Sequence, residues 1–321
     1  MDEKRNEIKK EYVYIDMPKK GKKKQVITRA FIGAFLSPLY LIKSLQKESV
    51  GSRFHLAISW LALSLLGSKI ELKKLYRMIF APMDSVRYFE FDYLWELLNN
   101  GKPIGKYLDI SSPRFFSYRL LKEGMVSDLV LANPDKKDLD ETIELYQGAR
   151  LIDNVLFLNK NAKQLVEDRQ KYDTIVSISV LEHIPHEYVE ENLKAIWEML
   201  SPGGRLLISL PCCKVPYDEY INIDEYGLYS VNDEGYVFAQ TFYSQELINS
   251  RIKKIFGEII HEKIFGEIIH GTFVEDRRLK LTSNNYPFWS ESLRVSNDYQ
   301  QYDYIEDLPG LGVIAMEFRK K

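Results

Sequence analysis

Glu182 and His183 stand side by side directly after the apolar run YDTIVSISV at 172–180. A carboxyl and an imidazole delivered by the end of a buried strand suit general acid–base work on a hydroxyl or amine. The same pair serves equally as a structural turn whose imidazole bonds the backbone, and both readings stand at this level. His186, three residues on, reads as a surface residue. Cys212 and Cys213 close a second apolar run and are the only cysteines. Adjacent cysteines seldom bridge each other, and two thiols alone do not complete a zinc site. They read as small buried residues of a chain kept in a reducing, cytoplasmic compartment. The sequence carries no G-x-x-x-x-G-K phosphate loop, no G-x-S-x-G nucleophile elbow and no metal-ligand spacing.

The elements that must position Glu182 and His183 follow from periodicity. From Lys106 onward strands and helices alternate: KYLDI, then FFSYRLLKEG closed by Gly124; DLVLANP, then DLDETIELYQG closed by Gly148; NVLFL; the 172–180 run; and a helix over 188–200 with Val189, Leu193 and Ile196 on one face. The SPGG turn, the strand RLLISLP and a last strand GVIAMEFRK complete the series. Such alternation predicts a doubly wound, mostly parallel α/β sheet with helices on both faces and right-handed crossovers. Residues 84–98 predict a helix capped by Asp84, with Phe91, Leu94, Trp95 and Leu98 as its apolar stripe. The stretch 211–242 breaks the rhythm and is rich in tyrosine, including Tyr217, Tyr220, Tyr226 and Tyr229. It reads as an insertion, either a recognition surface for a sugar, aromatic or peptide acceptor or a lid that shields the site. The heptapeptide IFGEIIH occurs at 255 and again at 264. A single nine-residue duplication fits no repeat architecture and reads as a loop or helix–strand junction without a functional role.

The run YDTIVSISVLEHIP, a helix, then LSPGGRLLISLP resembles the fourth and fifth strands of the class I S-adenosylmethionine-dependent methyltransferases, in a divergent form. The resemblance covers roughly residues 84–321 and implies a Rossmann-like, seven-stranded sheet with an antiparallel last strand. It implies S-adenosylmethionine as cofactor, bound at the carboxyl ends of the strands. By the family pattern Asp109 takes the acidic position of the first strand. Ser111, Ser112 and Pro113 stand where a glycine-rich turn is usual. Asn133, with Asp135 two residues on, stands at the ribose position, and Asn161 with Ala162 at the adenine position. Ser179 follows the fourth strand. Glu182 and His183 become the candidate catalytic groups. The implied function is methyl transfer to a small-molecule or glycan-like acceptor; the alternative is a catalytically silent binding module on the same fold. A nicotinamide-dependent oxidoreductase would need a G-x-G-x-x-G turn that is missing after Asp109.

Length and composition are those of a globular chain with one large domain and an appendage: 321 residues, 45% hydrophobic and 28% charged. The net charge of −2 and the lack of aromatics interleaved with basic residues argue against nucleic acid as a partner. Residues 1–83 form a basic and apolar N-terminal extension, expected to be helical, ahead of the 84–321 domain. The lysines at 19, 20, 22, 23 and 24 precede two uncharged stretches, 30–42 and 54–68. Both are shorter than the ~20 residues of a membrane-spanning helix. Residues 19–68 suit contact with an anionic membrane surface, or a helical subdomain packed on the main domain with a solvated lysine run.

Overall fold

The computed structural model describes residues 8–16, 23–101, 103–224, 227, 229–282 and 289–321. Lys19, Lys20, Lys22 and Tyr226 lie outside the described residues, as do the side chains of Lys23 and Lys24.

The N-terminal extension is not purely helical. It begins with strand β1 (Lys9–Val13); the helices α1 (Lys23–Gln46), α2 (Ser52–Leu63) and α3 (Leu72–Phe80) follow. Helix α4 (Arg87–Leu98) buries Phe91, Leu94, Trp95 and Leu98 as its spacing predicts. Asp84 does not cap it: the N-cap is Val86, and Asp84 pairs with Lys280 instead.

The alternating unit then runs β2 (Tyr107–Ile110), α5 (Phe115–Lys122), β3 (Leu129–Ala132), α6 (Lys136–Gly148), β4 (Val155–Leu158), α7 (Ala162–Val166) and β5 (Tyr172–Ile178). Helix α8 (His186–Met199) leads into β6 (Leu200–Cys213). Strands β2, β3 and β5 have apolar or β-branched side chains on both faces and are almost wholly buried, as inner parallel strands must be. Gly148 does not terminate α6 through a left-handed turn. It lies within the helix, and a Cβ there would sit 2.3 Å from Ile70 Cγ1, so glycine is required by the close approach of the 64–71 loop.

The insertion forms β7 (Tyr217–Ile221) and β8 (Val237–Phe242). They join β1 in a separate sheet of order β1-β7-β8, so the chain's first described strand pairs in parallel with a segment more than 200 residues away. A continuous helical run then comprises α9 (Gln245–Leu247), a π-helical segment (Ile248–Lys253) and α10 (Lys254–Phe256). Strand β9 (Ile259–Glu267), helices α11 (Thr272–Thr282) and α12 (Glu291–Asp298), β10 (Tyr299–Tyr302) and β11 (Leu311–Arg319) complete the chain.

The main sheet has the order β10-β9-β11-β6-β5-β2-β3-β4. Pairs among β4, β3, β2, β5 and β6 are parallel, and β11 enters antiparallel between β6 and β9. This is the doubly wound class expected, with eight strands rather than seven. The extra edge strand, β10, pairs with Ile264–Glu267, part of the second copy of the duplicated heptapeptide. The sequence order reverses between β2 and β5, which places the ligand crevice above their carboxyl ends.

Candidate active site

Strand β5 is tied at its end to both neighbours. The Ile178 N–H donates to Ser112 Oγ (3.1 Å) on the β2 side, and the Ser179 N–H donates to Ser209 Oγ (3.1 Å) on the β6 side. Ser179 has a left-handed backbone, φ 48°, an uncommon state for a residue with a Cβ. The turn drives its hydroxyl onto Glu90 Oε1 (2.5 Å), which also accepts from Ser209 Oγ (2.7 Å). Glu90, fully buried on α4, is held on its other oxygen by Arg87 (2.5 Å). Sequence reasoning missed this carboxylate. The signal was an acid on the apolar side of the 84–98 helix.

Glu182 and His183 sit in the single 3-10 turn after β5. Glu182 is buried, and its Oε2 has no hydrogen-bond partner among the described residues. Burial pushes its carboxyl up to about 8, with Glu90 adding to the rise; its own backbone N–H, the Arg87 charge and Ser179 oppose it. His183 moves the opposite way, down to about 4, because burial disfavours the imidazolium. Its Nδ1 donates to the Ala239 carbonyl (2.5 Å), so the neutral ring carries its lone pair on Nε2, 3.9 Å from Glu182 Oε1. Burial thus favours the neutral form of both groups.

Ser179, Glu182 and His183 line a cavity of about 150 Å³ roofed by α11 and α12 through Asp276, Arg277 and Glu291. The roof is an ion network: Arg294 reaches Asp276 (2.7 Å) and Glu291 (3.3 Å), and Tyr299 Oη donates to Asp276 (2.8 Å). The Ser85 N–H donates to Glu291 Oε1 (2.9 Å), while Glu291 Oε2 is buried without a partner among the described residues. Burial raises the Glu291 carboxyl. His186 is not a free surface group: its Nε2 lies 2.6 Å from Asp218, which anchors α8 to the insertion.

The expected cofactor residues are placed along the other half of the crevice. Asp109 is buried and fastens the turn after β2, accepting from the Ser112 N–H (2.8 Å) and from the Ser117 hydroxyl. Burial raises it to about 6, and those donors hold it back from going higher. Ser111 keeps the left-handed conformation of the missing glycine, φ 55°, and its N–H donates to the Ala132 carbonyl (2.8 Å). Asn133 is spent locally: its amide donates to Asp138 (2.9 Å) and its carbonyl accepts from the Asp135 N–H (2.9 Å). Asp135 is the N-cap of α6, accepting from Lys137 and Asp138. Asn161 forms a capping box with Gln164 on α7, whose first residue is the buried Ala162. Of the expected cofactor residues Ser179 alone lines the small cavity; Asp109, Ser111, Ser112, Asn133, Asp135, Asn161 and Ala162 line neither it nor the groove described next. A larger groove of about 1570 Å³ runs from Pro113 and Arg114 along α6 beneath α3, and shares Asp84, Arg87 and Lys280 with the small one.

A mostly parallel, doubly wound sheet with an antiparallel strand between β6 and β9 defines a Rossmann-like α/β domain. Residues 113–251 match the methyltransferase domain family. No curated protein matches the chain in sequence. Among solved structures it is similar to the N-methyltransferase NodS from Bradyrhizobium japonicum WM9 in complex with S-adenosyl-L-homocysteine, at 10% identity over 81% of this chain and 98% of that one, TM-score 0.45. It is also similar to geranyl diphosphate C-methyltransferase from Streptomyces coelicolor A3(2), at 9% identity over 73% and 81%, TM-score 0.46. The cyclase SpnF is similar at 12% identity over 85% and 96%, TM-score 0.45.

Proposed function

We propose that the protein transfers a methyl group from S-adenosylmethionine to a small-molecule acceptor at the Glu182–His183 end of the crevice. The observation that carries the proposal is the orphaned Oε2 of Glu182 at the end of β5. A buried carboxyl oxygen without a hydrogen bond is costly, and a cation bound beside it would offset that cost by charge, favouring the ionised carboxylate. The residues fit the cofactor in this respect, and in the left-handed turn at Ser111, which preserves the backbone course of a glycine. Ser111 and Ser112 would hold it through the backbone, while the Asn133 and Asn161 amides are already engaged locally. The cofactor would supply an electrophilic methyl on a sulfonium.

The chain's own contribution is positioning and proton handling. His183 is fixed as the Nδ1–H tautomer by Ala239, which sets Nε2 to accept a proton from an acceptor hydroxyl or amine. Glu182, once ionised, stabilises the imidazolium that results. The roof helices narrow the cavity above the pair. A glycan-like or aromatic acceptor suits the ring cluster on the insertion, where Tyr12 stacks on Tyr220 at 5.3 Å and meets Tyr236 edge-on at 5.2 Å.

The self-capped Asn133, Asp135 and Asn161 favour a second reading, a methyltransferase-type module that binds without catalysis. Titration of S-adenosylmethionine and S-adenosylhomocysteine, followed by an acceptor screen, separates the two. Binding with methyl transfer supports the first reading, binding without turnover on any acceptor supports the second, and no binding of either compound by folded protein overturns both.

A further inference from the structure

In a soluble protein a packed helix turns its large apolar side chains inward and its small polar ones outward. Helix α1 does the reverse. Among the described residues its buried positions are Gly33, Ser37, Leu41 and Ser44, only one of them large and apolar, and Ser37 spends its hydroxyl on the Phe80 carbonyl (2.5 Å). Its outward row is Phe31, Phe35, Leu39 and Ile42, at 76%, 71%, 45% and 51% exposure. Helix α2 packs Phe54, Ile58 and Ala62 inward in the ordinary way, yet leaves Trp60 65% and Leu63 40% exposed. The two helices pack on each other, and together they leave these six large apolar side chains exposed, more than scattered single hydrophobes.

Three occupants are conceivable: another protein, a second copy of this chain, or a lipid surface. Charge decides among them. Residues 23–80 carry ten Lys and Arg against two Glu, in a chain whose net charge is −2. Lys43, Lys47, Arg53, Lys69 and Lys73 in this segment are exposed. Two copies meeting through this face would set like charges together, which disfavours self-association. An apolar face bordered by lysine and arginine is the composition of an element lying in the plane of an anionic bilayer. Among the described residues no helix is long and apolar enough to cross a membrane, so the contact is with one leaflet.

We infer that α1 and α2 dock the protein on an anionic membrane surface, with Phe31, Phe35 and Trp60 inserted among the lipids. The groove of about 1570 Å³ opens beside this face: Leu65 and Leu66 after α2, and Arg77 and Met78 of α3, form one of its walls. Docking therefore brings the groove to the membrane, whatever reaction the domain performs.

The test is sedimentation of the full chain with phosphatidylcholine vesicles, with and without phosphatidylglycerol, at low and high salt. Binding is expected only with the anionic lipid, weakening as salt rises. Phe31→Ser/Phe35→Ser should reduce it by about tenfold or more, the loss expected when two aromatic side chains no longer leave water. Both side chains are exposed, so circular dichroism should be unchanged. In a second measurement, brominated lipid should quench fluorescence in the wild type, and Trp60→Phe should lose that quenching. Failure to bind anionic vesicles overturns the inference. So does binding that the double substitution leaves intact, or a dimer in solution that the substitution dissociates.

Discussion

The two halves of the crevice treat their polar groups in opposite ways. At the ends of β3 and β4, Asn133, Asp135 and Asn161 are committed to backbone N–H groups and to one another's neighbours. At the ends of β5 and β6, Glu182 is buried with one oxygen unpartnered, and its protonation preference is inverted relative to His183. A self-satisfied polar residue contributes stability and asks nothing of a ligand, whereas a buried orphan stores a penalty that only a ligand relieves. On this difference rests our proposal that the β5–β6 half is the functional one and the β3–β4 half chiefly scaffold.

The largest expected effect falls on turnover. His183→Ala should lower kcat by about 10²-fold or more against a hydroxyl or amine acceptor, the range for loss of a general base, with cofactor affinity nearly unchanged. A split of this kind, read from initial rates and calorimetry, sharpens the contrast; an equal loss of affinity would show that His183 packs the cofactor instead.

Next comes the pH dependence of stability. Glu182 is raised from its ordinary 4.5 to about 8, so its contribution is fully present below about pH 4.5 and is lost as pH rises through 8. His183, lowered from 6.5 to about 4, contributes stability that is present above pH 6.5 and lost as pH falls through 4. Thermal melts should therefore fall off on both sides of mildly acidic pH. Glu182→Gln should flatten the alkaline limb and leave the acid limb in place. An unchanged alkaline limb would mean that Glu182 ionises freely in the folded protein.

Smaller effects are expected on the scaffold half. Asp135→Ala should cost about 1 kcal/mol of stability, as for loss of an N-cap, and Asn161→Ala a similar amount, both read from denaturant midpoints. A loss of cofactor affinity larger than the loss of stability would break the comparison. Ser111→Gly should be the mildest, neutral or stabilising by up to about 1 kcal/mol, because glycine adopts a φ of 55° without a Cβ clash.

The β5-turn-α8-β6 unit was legible in the sequence because its strands are continuous β-branched runs bounded by LEHIP and SPGG, and inner parallel strands allow little else. What stayed hidden depended on distant chain. The roof of the small cavity comes from α11 and α12, whose sequences GTFVEDRRLKLT and SESLRVSND are polar and show no apolar stripe; Asp276, Arg277, Glu291 and Arg294 acquire meaning only against Ser85 and Tyr299. Strand β1 was invisible because its partner lies in the insertion. The duplicated heptapeptide makes the same point within one sequence. Gly257 of the first copy closes α10 at φ 84°, while Gly266 of the second lies inside β9 against Leu308. Glu258 is 85% exposed, whereas Glu267 is fully buried and accepts from the Gly271, Phe273 and Leu311 N–H groups. Identical residues take different roles because their neighbours differ. Asn133 and Asn161 illustrate a subtler limit: their positions were legible, but not that local caps would occupy their side chains.

The central claim is that Glu182 waits, protonated, for a cation. Calorimetric titration of S-adenosylmethionine near pH 7, in buffers of different ionisation enthalpy, tests it most directly. The heat should vary with buffer because Glu182 releases up to one proton as the sulfonium binds; S-adenosylhomocysteine, which lacks that charge, should release little, and Glu182→Gln none. A binding heat independent of buffer, or no binding by the folded protein, would contradict it.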